Sequence, residues 1–304
     1  MTSWGLPLLS KELLEQAARR RTYIIRTLYA ALLFFAALLI FYFSVYQQYT
    51  SPLDILGRGR EVFNNVTALQ IAGIVLFMPA ITCSVITAEK ERNTFGLLLL
   101  TRLSPWTILL EKLLSRLVPM LSFLLLSLPL MGFAYAMGGV GQQEVWTAFW
   151  TMLLIATQIG ALALACSAFF RTTVQAFIAT YVFGFGLYFG WAMLTTVAGD
   201  LLEVHRFFSN IYVGLVNNIV QAAWPLAGET PKFELTHDQQ LIVPFFPAAM
   251  LLDNARQPAW YVIPLSLPTI ASIIGLLVLA RVFVVRRAFV PSKNLLLKIF
   301  RKLD

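Results

Sequence analysis

AEKERNTFGLLLLTRLSPWTILLEK, Ala88 to Lys112, is the stretch on which the reading of this chain turns. It opens on a charged cluster, Glu89-Lys90-Glu91-Arg92, and closes on Glu111-Lys112. The apolar run between them, Thr94-Phe95-Gly96-Leu97-Leu98-Leu99-Leu100, has seven residues, whereas a membrane-crossing helix needs about 20. A helix that short, apolar nearly all round and held by charges on both sides, must bury itself against protein. Ser104-Pro105 then reads as an N-cap with proline at the first helical position, so a second helix starts there. The loop is expected to be a helix–turn–helix that projects from whatever the flanking segments form.

Those flanks are apolar on a scale that decides the class. Of 304 residues, 59% are hydrophobic and 12% charged, more apolar surface than one water-soluble core hides. Six windows are long enough to cross roughly 30 Å of hydrocarbon as helices: Thr27–Tyr46, Val66–Thr87, Leu113–Met137, Val145–Phe170, Val174–Ala198 and Trp260–Ala280. The expected fold is an all-α polytopic membrane protein, one transmembrane domain over residues 1–304. Residues 1–26 form a cytoplasmic interfacial helix, 88–112 the loop above, 199–259 a long outer loop and 281–304 a basic cytoplasmic tail. Ile211–Ala223 and Leu241–Leu252 in the outer loop are apolar but too short to span, and suit re-entrant or interfacial helices.

Charge sets the orientation. With both termini cytoplasmic, only Arg58, Arg60, Arg206, Lys232 and Arg256 of the 23 basic residues fall outside. Asp54, Glu61, Glu144, Asp200, Glu203, Glu229, Glu234, Asp238 and Asp253, most of the 15 acids, fall outside as well. This is the positive-inside pattern of a multi-pass protein of the cell (inner) membrane. The first apolar run is too long for a signal peptide and is read as a retained span. The +8 net charge belongs to these membrane flanks, which excludes a nucleic-acid partner and leaves membrane lipid as the surroundings.

The spans are poor in chemistry. Arg26, Arg116 and Arg281 sit near span ends, within snorkelling reach of water, and the midplane carries no Asp, Glu or His for a proton- or sodium-coupled carrier. His205 and His237 lack metal-ligand companions, so neither a catalytic nor a metal site is expected. No glycine is followed by lysine, so the chain has no phosphate-binding loop and is not expected to be an enzyme. Thr67, Gln70, Gln158 and Gln175 are polar groups within the spans that would line a substrate path, although hydrogen bonding between helices is the commoner use of such groups. Cys83 and Cys166 are read as packing residues.

Glu89-Lys90-Glu91-Arg92-x-Thr, then Leu97 to Leu100, Leu103-Ser104 with Ile108-Leu109 following, and the closing Lys112, resemble the first cytoplasmic loop of the type-2 permease family of ATP-binding-cassette transporters, the exporter-like class. Arg102 departs from the proline many members carry, the proline here being Pro105. The resemblance implies that this loop is the coupling helix that docks a separate ATPase. Glu89, Lys90, Glu91, Arg92, Thr94, Phe95, Leu97, Leu98, Leu100 and Ser104 are then the ATPase-coupling residues. It further implies that the chain itself binds no cofactor, ATP and magnesium being held by the partner, and that a second permease copy or a homologous permease completes the transporter.

Two further segments fit that likeness. Leu6, Leu9, Leu13 and Ala17 recur at helical spacing in Leu6–Arg21, as in the family's connecting helix. Gly184, Gly186 and Gly190 form a small-residue face suited to a dimer seam. The expected function is the permease subunit of an ATP-driven exporter working by alternating access. The alternative is a non-transporting scaffold or assembly factor that docks a cytoplasmic partner through residues 88–112.

Overall fold

The computed structural model describes residues 7–18, 20–43, 59–92, 94, 104–186 and 262–289. Its elements are α1 (Pro7–Ala18), α2 (Arg20–Phe41), α3 (Gly59–Thr82), α4 (Ser84–Glu91), α5 (Pro105–Ala136), α6 (Gln142–Phe169), α7 (Thr173–Phe185) and α8 (Val262–Phe289), with no strand among the described residues. Gly59–Glu91, Pro105–Ala136 and Gln142–Phe169 are long and apolar enough to cross a membrane, while Arg26–Phe41, Thr173–Phe185 and Thr269–Val285 are shorter apolar helices. The regular structure of the described residues is thus all helical, with helices of membrane-crossing length and composition. Residues 187–261, which hold the end of the fifth predicted span and the outer loop with both its apolar patches, lie outside the described residues, as does the tail after residue 289.

Helix α6 is the axis of the bundle: 83% of its most apolar window is buried, against 44% for Gly59–Glu91 and 39% for α5. Ala156, Gly160, Ala161, Ala163, Ala165 and Ala168 make it narrow, so α3, α5, α7 and α8 can all pack on it. Gly160 admits Met78 and Leu113, whose side-chain ends would lie 2.5 and 3.0 Å from a Cβ at that position. One apolar cluster joins α2, α3, α5 and α6 through Leu33, Val66, Ile74, Met78, Met120, Leu124 and Ile155. A second joins α4, α5, α6 and α8 through Ile86, Leu109, Leu113, Leu164, Leu277 and Val284. By contrast, among its described side chains α2 buries only the ridge Tyr29, Leu33 and Ala37 and exposes Ile24, Leu28, Leu32, Phe35 and Leu39. An apolar stripe of that kind is compatible with hydrocarbon, which solvates it without penalty.

Several buried polar groups are matched between helices. The Tyr29 hydroxyl donates to Gln70 Oε1 at 2.8 Å, and Gln70 Nε2 donates to the Phe123 carbonyl at 3.1 Å, tying α2, α3 and α5 together. Gln158 Nε2 donates to Ser272 Oγ at 2.7 Å and holds α8 on α6. At the ends of α3 and α6 remote from α4, Arg60 Nη2 reaches both Glu144 carboxylate oxygens, at 2.6 and 2.7 Å.

Beside this ion pair Gly59 packs on the end of α5. A Cβ there would stand 2.0 Å from the Ala134 carbonyl oxygen and 2.4 Å from that of Gly138. Both obstacles are backbone, so neither can rotate away. Gly59→Ala is expected to destabilise the fold by about 3 kcal/mol, the upper end for overpacking. The thermal midpoint of the detergent-solubilised protein checks this, and an unchanged midpoint would contradict the packing.

Candidate functional site

The Gly59–Glu91 stretch is 33 residues long, about 50 Å of helix, and so outreaches a hydrocarbon layer of about 30 Å. Its ladder is interrupted at Cys83, where a turn separates α3 from α4. Pro79, four residues earlier, has no N–H and leaves the Val75 carbonyl without its helical donor. Beyond the interruption α4 carries Glu89, Lys90 and Glu91 into a polar hub where α1, α4, α5, α6 and α7 meet.

Lys112 is the centre of this hub. It stands on the eighth position of α5, and its side chain is only 2% exposed. The ammonium lies 2.5 Å from Glu89 Oε1 and 3.2 Å from Glu12 Oε1, and also donates to the Val85 carbonyl at 3.3 Å. Burying a cation is tolerable only when it is paired and its protons are used, and here all three contacts are supplied by acceptors. Glu12 takes a further bond from Ser115 Oγ at 2.5 Å and lies 3.6 Å from Arg116 Nη2. Pro119 frees the Ser115 carbonyl, and Gln16 Nε2 donates to it at 3.3 Å. Glu111 Oε2 accepts the Leu9 backbone N–H at 2.9 Å.

Helix α1 is consequently seated on α5 by polar contacts. The side it turns inward is Leu9, Glu12, Leu13 and Gln16, while Ala17 is exposed. This differs from the apolar stripe of the spacing argument by a rotation toward Glu12, which Lys112 and Ser115 draw in.

The next two residues of α4 engage the α6–α7 turn. Lys90 Nζ donates to the carbonyls of Ser167, Ala168 and Phe170 at 2.7, 2.7 and 2.8 Å. These are the acceptors that a helix end leaves unpaired, and a cation there also complements the helix dipole. Glu91 Oε1 accepts the Thr173 N–H at 2.6 Å at the opposite, positive end of α7. Arg92 and Thr94 are exposed, and Thr94 N–H returns to the Glu89 carbonyl at 2.9 Å. Ser104 caps α5: it has extended backbone, accepts the Thr107 N–H at 3.2 Å and is followed by Pro105 at the first turn.

Among the predicted coupling residues, Glu89, Lys90 and Glu91 thus come together on α4, with Arg92 and Thr94 just beyond them and Ser104 at the start of α5. Phe95, Leu97, Leu98 and Leu100 lie outside the described residues, as does Gly190. Of the seam residues, Gly184 faces Leu162 of the same chain, with 3.7 Å from a Cβ, and Gly186 meets nothing within 4 Å. Of the path residues, Gln70 and Gln158 serve as struts between helices. Thr67 is buried with no hydrogen-bond partner for its hydroxyl. Gln175 is exposed in the first turn of α7.

In the sequence Lys112 reads only as the closing charge of the 88–112 loop, and Glu12, Ser115 and Ser167 are not singled out. One signal was available: a helix capped at Ser104 carries Lys112 two turns inward, among Leu109, Leu113 and Ser115, where a free ammonium is costly. Nothing in the sequence singles out Ser167.

No curated protein matches the chain. A family model described as ABC-2 family transporter protein matches residues 6–286, from before α1 almost to the end of α8. With a match of that extent, and with the apolar helices of a membrane component, the chain belongs to the ABC-2 family of transporter proteins.

Proposed function

We propose that this chain is the permease subunit of an ATP-driven exporter, with six spans, both termini cytoplasmic, in the cell (inner) membrane. Members of the family generally pair with an ATP-binding-cassette ATPase, which would hold ATP and magnesium while this chain binds neither. The single observation that carries the reading is the charged end of α4. Glu89, Lys90 and Glu91 are braced by α5, α6 and α7, so a push on the segment that follows reaches three helices of the bundle. Arg92, Thr94, Phe95, Leu97, Leu98, Leu100 and Ser104 would receive that push from the ATPase. Two copies, or this chain and a homologous permease, would rock to alternate access across a seam that includes Gly184, Gly186 and Gly190. Thr67, with its buried unpartnered hydroxyl, is the best placed of Thr67, Gln70, Gln158 and Gln175 to meet a substrate.

Copurification tests this reading. An ATPase that comes down with the tagged chain, and whose ATP turnover rises on assembly with it in liposomes, is the expected result. A partner without ATPase activity would favour the scaffold function instead.

A further inference from the structure

Helix α4 is continuous with α3 in sequence but fastened elsewhere. Its first-turn amides need acceptors, and Cys83, at its N-cap, supplies no side-chain bond. Ser167 of α6 does so instead, its Oγ accepting the N–H groups of Ile86 and Thr87 at 3.0 and 3.1 Å. At the other end of α4, Lys90 closes the carbonyl end of α6 and Glu91 the amide end of α7. Between them the hydroxyls of Thr87 and Thr173 are 3.0 Å apart. Toward α3 the ladder is weaker: Pro79 brings no N–H, and a turn at Cys83, whose own N–H still donates to the Pro79 carbonyl at 2.9 Å, separates the two helices.

We propose that α4 and the α6–α7 turn move as one body, hinged on α3 at Pro79–Cys83, and that Ser167, Lys90 and Glu91 are the positioning residues that join them. The proposal rests on the transporter reading above and deepens it. Force from the ATPase would enter the bundle through α6, its central helix, beside the link that Glu89 makes to Lys112 of α5. Lys90 and Glu91 are suited to this because each matches its charge to a helix end, and a cation and an anion in sequence match the end of one helix and the start of the next.

The test uses the chain assembled in liposomes with the ATPase that copurifies with it. Lys90→Met/Glu91→Gln is expected to retain the bound ATPase and lose about tenfold in permease-dependent ATP turnover, within the range of coupling between sites. Lys90→Arg, which keeps the cation, is expected to retain turnover. In Lys90→Met/Glu91→Cys/Arg171→Cys, a short bismaleimide between the exposed positions 91 and 171 should restore most of the rate, replacing the clamp covalently. Cys83 and Cys166 are buried and react slowly by comparison.

Full turnover in the double variant, or a cross-linked triple variant that stays slow, overturns the one-body arrangement while leaving the transporter reading intact. Failure of the unsubstituted chain to bind or stimulate any ATPase overturns both.

Discussion

Lys112→Ala is expected to destabilise the protein by about 3–5 kcal/mol, the cost of removing one partner from a buried ion pair. The substitution leaves Glu12 and Glu89 facing each other across the space the ammonium held, each having lost its contact at 3.2 or 2.5 Å. It also removes the ammonium's bond to the Val85 carbonyl, a further tie between α5 and α4. Because Glu12 holds α1, release of that helix from α5 should accompany the loss, visible as faster proteolysis of the N-terminal segment. The charges cause the damage, so their joint removal should repair it. Lys112→Met/Glu12→Gln/Glu89→Gln is expected to recover most of the thermal midpoint, since a buried ion pair replaced as a whole by neutral groups costs little. A triple variant no more stable than Lys112→Ala would show that packing, and not the pairing, carries the effect.

A carboxylate at Phe95 or Leu98 is expected to abolish stimulation of the partner ATPase without unfolding the chain. The segment Thr94–Leu100 is apolar between charged flanks, which makes it the surface most able to bury itself in a partner. Placing an ionised group there requires desolvating it at the interface with no partner to pair it. The loss at a central apolar anchor is about 2 kcal/mol or more, roughly thirtyfold in affinity. Stability should be unaffected, because the hub is built from Glu12, Glu89, Lys90, Glu91 and Lys112, upstream and downstream of the substituted positions. ATP turnover of the assembled complex against the ATPase alone, with the thermal midpoint measured in parallel, separates these effects. Undiminished stimulation in Leu98→Glu would remove the loop from the coupling route.

The helical membrane class was legible because hydropathy is a property of long windows and needs no partner to be read. Long runs without charge, such as that from Val118 to Gly141, admit no other structure at that length. The start of α5 was legible for a local reason: a serine hydroxyl and a proline in sequence satisfy a helix beginning by themselves. What the charged residues of α4 do was not legible. In sequence Glu89-Lys90-Glu91 reads as part of a docking loop. What folding adds lies in α6 and α7, roughly 80 residues away, whose helix ends arrive beside it only in the folded bundle. The polar seat of α1 was not legible for the same reason, since a spacing rule counts leucines and cannot know that Lys112 will recruit Glu12.

The proposed function requires that a separate ATPase grip the apolar segment after α4. A photo-cross-linking amino acid at Leu98 addresses this directly when the chain is irradiated in native membranes together with the ATPase that copurifies with it. A covalent adduct to the ATPase is expected, diminished when Glu is placed at Phe95 in the same chain. Adducts confined to lipid or to other parts of this chain would contradict it.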